Sequence, residues 1–355
     1  MSPLETAVRT QFAPRTTYLN TASHGLLPAS AAAAVRQALA DSTEGRIDQG
    51  RWSDAVQAAR ASFARLSDTV PERVALGTAV AVHVGLVAAS LPAGAEVLAP
   101  EGEFTSVVTP FTTRGDLRLR TVPLERLAEE VRPDTALVAV SVVQSADGRI
   151  ADLAAVRQAT WSVGARLLVD TSQATGWLPV RADDADFLVC HGYKWLMCPR
   201  GVSFLTVPAD GGGLRPLFPG FPAAQDPDDA LYGPVRRLAD SARRFDQSVP
   251  YLPYLGAAAS LRLLEEVGQQ AVGEHDRALA RRFRAGLARL GHPAVPGDAP
   301  IVAVPGLGGA AARLRAAGVE VSERAGNLRF SFHLYNTEAD VDRALQVLAE
   351  WSAAR

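Results

Sequence analysis

The sequence predicts an α/β protein with a mostly parallel, doubly wound sheet in a large domain, followed by a smaller α/β domain. The main observation is that short apolar runs of strand length alternate with longer segments of helical spacing, the order typical of parallel sheets covered by helices. The second observation is size, because 355 residues of which 48% are hydrophobic suffice to bury the cores of roughly two domains.

The large domain is predicted to occupy residues 28–249, after an N-terminal segment, residues 1–27, that contains few helix signals. Five helical patterns and six apolar runs follow one another within it. The predicted helices are 31–40, 53–66, a stretch that ends at 91, 124–131 and 153–161. The predicted strands are a short one that begins at 74 and then 96–99, 117–122, 136–142, 167–170 and 186–190.

Residues 250–355 are predicted to form the smaller C-terminal domain. Two long helical patterns, 251–267 and 270–290, end in a Gly-His-Pro sequence that stops helices. Short apolar runs and two further helical stretches complete the domain, at 301–304, 310–317, 319–322, 328–331 and 337–351. Just before the domain, residues 208–231 are rich in glycine, proline and aspartate, which favours a mobile loop over an ordered excursion near a dimer interface.

Lys194 is the only lysine among 36 basic residues, and arginine fills every other basic position. A primary amine can lose its proton and form a Schiff base, which a guanidinium cannot do. The count alone is compatible both with a catalytic lysine and with the chance survival of one lysine in an arginine-rich composition.

The surroundings of Lys194 favour the catalytic interpretation. Asp170 ends one predicted buried strand and Lys194 follows the end of another, and ligands of such sheets bind at the carboxyl ends of the strands. Pyridoxal 5'-phosphate uses both groups, because the amine holds its aldehyde while the carboxylate keeps the ring nitrogen protonated. The sequence therefore predicts this cofactor and lacks the ligand clusters of a zinc site.

Three motifs resemble the pyridoxal-phosphate site of the class V aminotransferase family, which includes cysteine desulfurases, isopenicillin N epimerase-like enzymes and kynureninase. The resemblance extends over nearly the whole chain. It implies fold type I of the pyridoxal-phosphate enzymes, an amino-acid-like substrate and a homodimer with its sites at the subunit interface. The motifs are Asp170-x-x-Gln173, His191-Gly192-Tyr193-Lys194-Trp195 and Pro199-Arg200-Gly201.

A phosphate site is predicted at Gly77-Thr78-Ala79, where a strand turns into a helix. Free backbone N–H groups and the positive end of the helix dipole lie at such a turn. A plain helix N-cap is the other interpretation of these three residues. The resemblance adds His191 and Tyr193 as phosphate contacts, with guidance of protonation as an alternative role for either.

The resemblance implies further cofactor contacts outside the lysine motif. Phe104 stands where the family places an aromatic side chain on the pyridine ring, and Gln173 is expected to bind the ring hydroxyl. Ser145 is expected near the cofactor, although relatives commonly carry asparagine or threonine there. Ser248-Val249 replaces a Gly-Thr pair that often reaches the neighbouring subunit's phosphate, and the Ser248 hydroxyl is expected to donate a hydrogen bond in its place.

Arg329 is the predicted carboxylate clamp for the substrate. It lies in residues 328–337, which resemble the family's terminal signature, and its planar fork can bind both carboxylate oxygens at once. The alternative is a surface arginine on an edge strand. Ser23 and His24 belong to a segment that resembles the family's N-terminal piece at the active-site mouth, so they are either substrate contacts or part of a turn before a helix.

The predicted chemistry starts from a Schiff base on Lys194, which becomes the base for the Cα proton once the substrate amine displaces it. Asp170 stabilises the protonated ring. The leading prediction is a β-eliminating lyase of the carbon–sulfur type in small-molecule or natural-product metabolism. Aminotransfer and epimerisation are the alternatives within the family, and a non-catalytic binding module is the alternative from another class.

Cysteine and charge content restrict the function and its setting. A persulfide-forming cysteine desulfurase is not expected, because it needs a mobile thiol in the C-terminal region and no cysteine follows Cys198. Cys190 and Cys198 form no disulfide framework, which favours a reducing cytoplasm. The net charge of -2 is spread along the chain and argues against nucleic acid as a partner. No apolar run approaches the ~20 residues that cross a membrane.

Overall fold

The computed structural model of the protein describes residues 2–353. Its helices and strands are labelled in chain order. The helices are α1 (Pro3–Gln11), α2 (Ala29–Thr43), α3 (Gln49–Leu66), α4 (Val80–Ser90), α5 (Thr105–Thr113), α6 (Leu153–Val163), α7 (Tyr251–Val267), α8 (Gln269–Arg289), α9 (Ala311–Ala316) and α10 (Glu338–Ala353). The strands are β1 (Thr17–Tyr18), β2 (Val74–Gly77), β3 (Glu96–Pro100), β4 (Arg118–Val122), β5 (Thr135–Ser141), β6 (Arg166–Asp170), β7 (Phe187–His191), β8 (Ser203–Thr206), β9 (Ile301–Pro305), β10 (Val319–Glu320), β11 (Ser322–Arg324) and β12 (Asn327–Ser331).

The main sheet has seven strands in the order β2-β8-β7-β6-β5-β3-β4. The four pairs from β4 through to β7 are parallel, whereas β8 runs antiparallel to both of its neighbours. This confirms the predicted α/β fold with a mostly parallel sheet. The antiparallel strand β8 was not among the predicted strands.

Both faces of the main sheet are buried, because side chains of successive strand residues enter different cores. Val138 and Val140 of β5 pack into the cluster that contains α7, while Leu137 and Ala139 pack into the cluster that contains α4. A strand buried on both faces reads as a continuous apolar run. The predicted strands of this sheet were recognisable for that reason.

A second, three-stranded antiparallel sheet has the order β11-β12-β9 and packs with α8, α9 and α10 around its own apolar cluster. The N-terminal segment crosses to this part of the molecule, since β1 pairs with β10. Helix α7, in contrast, buries its apolar residues in the cluster of the main sheet. A domain boundary near residue 250 stays a prediction.

Two local predictions were wrong. Helix α1 lies in the N-terminal segment that was described as containing few helix signals, yet the sequence carries a clear one. It is a capping box in which Ser2 and Glu5 bond each other's backbone, with Pro3 at the first helical position. The helix predicted at 124–131 is only a short 3-10 turn over Leu124–Arg126. Beyond this turn the carbonyl of Glu130 accepts a hydrogen bond from the side chain of Arg120.

No helix among the described residues is long and apolar enough to cross a membrane.

Candidate active site

Lys194 lies in the tight turn after β7, and its side chain is buried. The N-terminal segment is pressed against this turn, since the backbone N–H of Gly25 donates to the carbonyl of Tyr193 at 2.9 Å. A side chain at position 25 would bring its Cβ within 2.0 Å of the Lys194 carbonyl oxygen. Gly25 is therefore required for this close approach, a role that was not predicted from the sequence.

Asp170 ends β6, the parallel neighbour of β7, so the carboxylate and the amine come from adjacent strand ends as predicted. Asp170 is buried and accepts a hydrogen bond of 2.8 Å from the backbone N–H of Ser172. No ion pair within 4.0 Å joins Asp170 to Lys194. The charged atoms of the two side chains are therefore more than 4.0 Å apart and do not neutralise each other by direct contact.

Burial controls the protonation of both groups. It lowers the pKa of Lys194 from the ordinary value of 10.5 to about 8, against the opposing effect of Asp170. Burial raises the pKa of Asp170, while the charge of Lys194 acts in the opposite direction. The amine is thus partly unprotonated near neutral pH, as a nucleophile and base must be, and the carboxyl group is an unusually basic proton acceptor.

The structure brings Gly77, Thr78 and Ala79 to the start of α4, where backbone donors point out of the helix end. Ala79 makes no side-chain cap, so the N-cap interpretation has no support from a side-chain hydrogen bond. The glycine at 77 has a packing reason, because a Cβ there would lie 2.7 Å from the ring of His83. Thr78 is half-buried and its hydroxyl bonds Gln247 at 3.4 Å.

His191 ends β7 beside the same helix start. Its Nε2 accepts the backbone N–H of Val80 at 3.3 Å, which assigns the proton of the neutral ring to Nδ1. Burial lowers the pKa of His191 to about 3, so the ring is neutral at physiological pH. Nδ1 is buried without a hydrogen-bond partner and remains a donor in need of an acceptor.

Tyr193 stands at the entrance, between the rings of His191 and His24 at centroid distances of 4.9 Å and 5.7 Å. The guanidinium of Arg200 lies 4.5 Å above its ring. Burial, with a smaller effect from Arg200, lowers the pKa of His24. Because its ring stacks on that of Tyr193, His24 lies next to the lysine turn. Ser248 is exposed and makes no hydrogen bond to these side chains, so its predicted phosphate contact stays a prediction.

Phe104 caps α5 and exposes 38% of its surface, with its ring centroid 5.1 Å from Lys194 Nζ. The buried carboxylate of Glu103 fixes it by accepting its backbone N–H at 2.6 Å. Glu103 also accepts the hydroxyl and backbone N–H of Ser141 at the end of β5 and the amide of Gln144. Glu103 was not predicted from the sequence as a site residue, yet it ties the Phe104 turn to the carboxyl edge of the sheet.

Gln173 is held from three sides. Its amide nitrogen donates to the carbonyl of Ala22 at 2.9 Å and to the hydroxyl of Ser145 at 3.0 Å, and its oxygen accepts the indole N–H of Trp195 at 2.7 Å. Both amide hydrogens are therefore used within the protein. A contact with a ring hydroxyl, as the resemblance implies for Gln173, would require sharing or exchanging one of these bonds.

The turn that carries Lys194 has a second anchor behind it. His333 Nε2 donates to the carbonyl of Trp195 at 3.0 Å, and His333 Nδ1 lies 2.9 Å from the carboxylate of Asp276. Both side chains are completely buried. This pair joins α8 and the segment after β12 to the lysine turn, and the sequence gave no indication of it.

Arg329 lies on β12 and only 1% of its surface is exposed, which excludes the surface-arginine interpretation. Its guanidinium donates to the hydroxyls of Ser322 at 3.1 Å, Ser23 at 2.7 Å and Ser145 at 3.0 Å, and to the carbonyl of Ser145. No carboxylate of the described chain lies within 4.0 Å. Burial lowers the pKa of Arg329 to about 9, which expresses the cost of burying this cation without a counter-charge.

The remaining titratable groups do not form a metal centre. Among the described residues, no group of three or more His, Cys, Asp or Glu side chains is arranged to hold a metal ion. His83 is buried on α4 and bonds Ser203 at 3.0 Å. Cys190 and Cys198 are buried thiols, and burial raises the pKa of Cys190 to about 12.

Comparisons with known proteins identify the family of this chain. The family model Aminotransferase class-V matches residues 77–304. The chain is 30% identical to isopenicillin N epimerase of Streptomyces clavuligerus over 341 residues, which cover 82% of this chain and 83% of that protein.

Solved structures share the fold at lower identity. A cysteine desulfurase from Thermococcus onnurineus NA1 superposes with a TM-score of 0.86 at 20% identity, over 99% of this chain and 98% of that one. The cystine C-S lyase C-DES superposes with a TM-score of 0.85 at 21% identity, over 95% and 98% of the two chains.

The fold and the comparisons define a pyridoxal-phosphate enzyme of fold type I, as predicted. The chain belongs to the class V aminotransferase family, which confirms the resemblance seen in its motifs. The cofactor indicated by this membership is pyridoxal 5'-phosphate, and enzymes of the family act on amino-acid substrates.

The residues present fit this cofactor. A buried amine of lowered pKa at position 194 suits its aldehyde, and the basic carboxylate of Asp170 suits a protonated ring nitrogen. The unpartnered Nδ1–H of His191 beside the α4 start suits an acceptor such as a phosphate oxygen. The exposed face of Phe104 suits an aromatic ring.

Proposed function

We propose that the protein is a β-eliminating lyase that breaks a carbon–sulfur bond in an amino-acid substrate. The observation that carries the proposal is the pair of buried cations, Lys194 and Arg329, neither of which has a carboxylate within 4.0 Å. The amine of Lys194 can react with a carbonyl carbon and accept a Cα proton. The planar guanidinium of Arg329 can bind both oxygens of an α-carboxylate. The chain is arranged for a small molecule that carries both an amino group and a carboxylate.

Bound pyridoxal 5'-phosphate supplies the electron sink for the Cα–H bond. Arg329 holds the substrate carboxylate and so fixes the direction of the Cα–H bond. Lys194 Nζ takes the Cα proton, which its pKa of about 8 permits near neutral pH. Asp170 keeps the ring nitrogen protonated. The Cβ–S bond then breaks with its electron pair leaving on sulfur, and the released enamine hydrolyses in water to pyruvate and ammonia.

The state of the cysteines supports release of the sulfur product to solvent. The chain has two cysteines, and both are completely buried. Burial raises the pKa of Cys198 as well as that of Cys190, so neither provides a thiolate at neutral pH. We therefore propose that the enzyme does not work by forming a persulfide on its own cysteine, although several relatives are cysteine desulfurases.

The test of the proposal is a reaction without any keto acid. The purified enzyme with pyridoxal 5'-phosphate is incubated with L-cysteine conjugates, and pyruvate and ammonia are measured. Equal amounts of both products support elimination. Accumulation of pyridoxamine 5'-phosphate would show aminotransfer instead. As a matched control, the Cys190→Ala/Cys198→Ala double variant is expected to release the same products, whereas sulfur transfer from L-cysteine itself to a protein thiol would leave alanine and would be lost in that variant.

Epimerisation is a second candidate, favoured by the 30% identity with isopenicillin N epimerase. It uses the same removal of the Cα proton by Lys194, followed by return of a proton to the other face. Incubation in deuterated water distinguishes the two reactions. An epimerase gives the opposite enantiomer with deuterium at Cα and no pyruvate, as read by chiral chromatography and mass spectrometry.

We also propose a homodimer. Large apolar side chains are exposed in and after the loop at 208–231, including Phe218 at 65%, Leu231 at 57% and Tyr232 at 93%. Exposed apolar groups of this size are typical of protein interfaces. Light scattering after size-exclusion chromatography measures the mass, and the mass of a single chain at micromolar concentration would contradict the proposal.

A further inference from the structure

Two arginines share one hydroxyl group at the entrance of the site. Ser23 Oγ accepts Arg329 Nη2 at 2.7 Å and Arg324 Nη2 at 3.3 Å. Arg329 is buried, whereas Arg324 is exposed. The charge of Arg324 adds to the effect of burial in lowering the pKa of Arg329, so the two cations act on each other.

The small sheet builds this pair directly. Ser322 on β11 is the register partner of Arg329 on β12, and Arg324 lies two residues further along β11, so its side chain emerges on the same face as that of Ser322. A two-residue turn closes the hairpin, with φ of 46° at Ala325 and 78° at Gly326. Positive φ at both central residues is typical of the tight two-residue turns that hold antiparallel strands in a fixed register.

Neither arginine has a carboxylate within 4.0 Å among residues 2–353. Other exposed arginines of this part of the protein do find acidic partners, as Arg313 does with Glu350 at 3.6 Å. Two guanidinium groups on a single neutral hydroxyl repel each other, and an anion placed beside them removes this repulsion. The pair is therefore a partly built binding site for negative charge.

We infer that the substrate carries a second carboxylate at the end of its side chain, which Arg324 binds while Arg329 holds the α-carboxylate. This inference rests on the proposed function for the placement of the α-carboxylate. Arg324 and Arg329 are diagonal neighbours on the paired strands β11 and β12, and such positions are about 7–8 Å apart, which sets the order of distance between the two anionic groups. A planar guanidinium matches a carboxylate by two parallel hydrogen bonds. The class of substrate is an anionic thioether amino acid.

Two conjugates of L-cysteine test the inference because they differ only in the distal charge. S-carboxymethyl-L-cysteine ends in a carboxylate, and S-carbamoylmethyl-L-cysteine ends in a neutral amide of nearly the same shape. The dissociation constant of each is measured with the holoenzyme from the change in cofactor absorption, and pyruvate is measured separately. We expect the carboxylate to bind about tenfold more tightly than the amide, the usual effect of a charge-assisted hydrogen bond.

The Arg324→Gln variant is expected to lose this preference, with a ratio of dissociation constants close to one. Arg324→Lys, which keeps the charge without the fork, should retain part of it. Arg313→Gln is the matched control, since it removes the same charge from an exposed arginine paired with Glu350, and it should keep the tenfold ratio. Added salt should also reduce the preference because Arg324 is exposed.

The outcomes for the inference and for the proposed reaction are distinct. If pyruvate is formed but the two conjugates bind equally well, the inference is overturned and the lyase proposal stands. The same holds if Arg324→Gln weakens the binding of both conjugates equally. A charge preference that disappears in Arg324→Gln without any pyruvate supports the inference and overturns the lyase proposal. Failure of both conjugates to change the cofactor absorption contradicts both.

Discussion

Two buried arginines of this protein, Arg60 and Arg329, have opposite surroundings. Arg60 leaves 5% of its surface exposed and forms an ion pair with buried Asp246 at 2.5 Å. Asp246 also accepts the backbone N–H of Leu76 at 2.8 Å, so this pair fastens the segment before α7 to β2. Arg329 is buried at least as deeply and bonds only hydroxyls and a carbonyl.

The difference separates a structural cation from a functional one. A buried ion pair that also satisfies the backbone holds elements together, and its charge is already neutralised. A buried cation surrounded by neutral oxygens keeps its charge available for a ligand, at a cost in stability. Lys194 belongs with Arg329 in this respect, because it also lacks an ion pair within 4.0 Å. Among the buried lysine and arginine side chains of residues 2–353, these two lack an ion pair, and they are the ones assigned to the substrate and the cofactor.

Lys194→Ala is the change with the largest expected effect. Removing the amine removes both the attachment for the cofactor and the base for the Cα proton, so kcat should fall by a factor of about 10⁴. Steady-state rates on L-cysteine conjugates measure the loss. The cofactor-free variant should be no less stable than the wild type in urea, and a rate within tenfold of the wild type would contradict the assignment.

Asp246→Asn tests the other side of the comparison. It leaves Arg60 buried without its counter-charge, and the free energy of unfolding should fall by about 3–5 kcal/mol. Urea denaturation measures the change. In the double variant Arg60→Met/Asp246→Leu, which removes both charges, most of the stability should return. A neutral effect of Asp246→Asn would mean that Arg60 does not depend on its ion pair, and the contrast with Arg329 would disappear.

The stability of the cofactor-free protein should depend on pH through Lys194. Its pKa is about 8 when folded and 10.5 when unfolded, so between these values the unfolded chain binds more protons. The free-energy cost of burying the charged ammonium is fully present below pH 8 and is lost as pH rises toward 10.5. Relative to Lys194→Met, the wild type should therefore gain on the order of 3 kcal/mol over this range. A flat difference between the two proteins would contradict the lowered pKa.

Arg329→Gln should raise KM for amino-acid substrates by about a hundredfold, because the α-carboxylate loses its charged partner. The free energy of unfolding should change little, in contrast to Asp246→Asn, since no ion pair is broken. The control ligand is an amine without a carboxylate. Its dissociation constant should be the same for the wild type and for Arg329→Gln. A loss of stability as large as that of Asp246→Asn would show that Arg329 has a structural role like that of Arg60.

Local patterns of the sequence were enough to predict most of the fold and part of the site. Apolar runs marked β6 and β7, and the residues at their ends, Asp170 and Lys194, stand at adjacent strand ends as expected. Contacts between distant parts of the chain left no such pattern. Arg60 and Asp246 lie 186 residues apart, and His333 lies 138 residues from Trp195.

Glycine positions show the same limit. Gly25 is needed because the lysine turn approaches its Cα, and nothing in residues 18–25 reveals that approach. Arg329 was found through the resemblance of its motif, whereas its lack of a counter-charge is visible only once the surrounding side chains are placed. The second arginine at the entrance, Arg324, was missed because strand register, and not sequence spacing, brings it to Ser23.

The most direct measurement uses the fact that Lys194 is the only lysine. The enzyme loaded with pyridoxal 5'-phosphate is reduced with borohydride, digested and analysed by mass spectrometry. We expect a single phosphopyridoxyl group, on the peptide that contains Lys194, and none in the Lys194→Ala protein. A reduced protein that still carries the cofactor but shows an unmodified Lys194 would contradict the account.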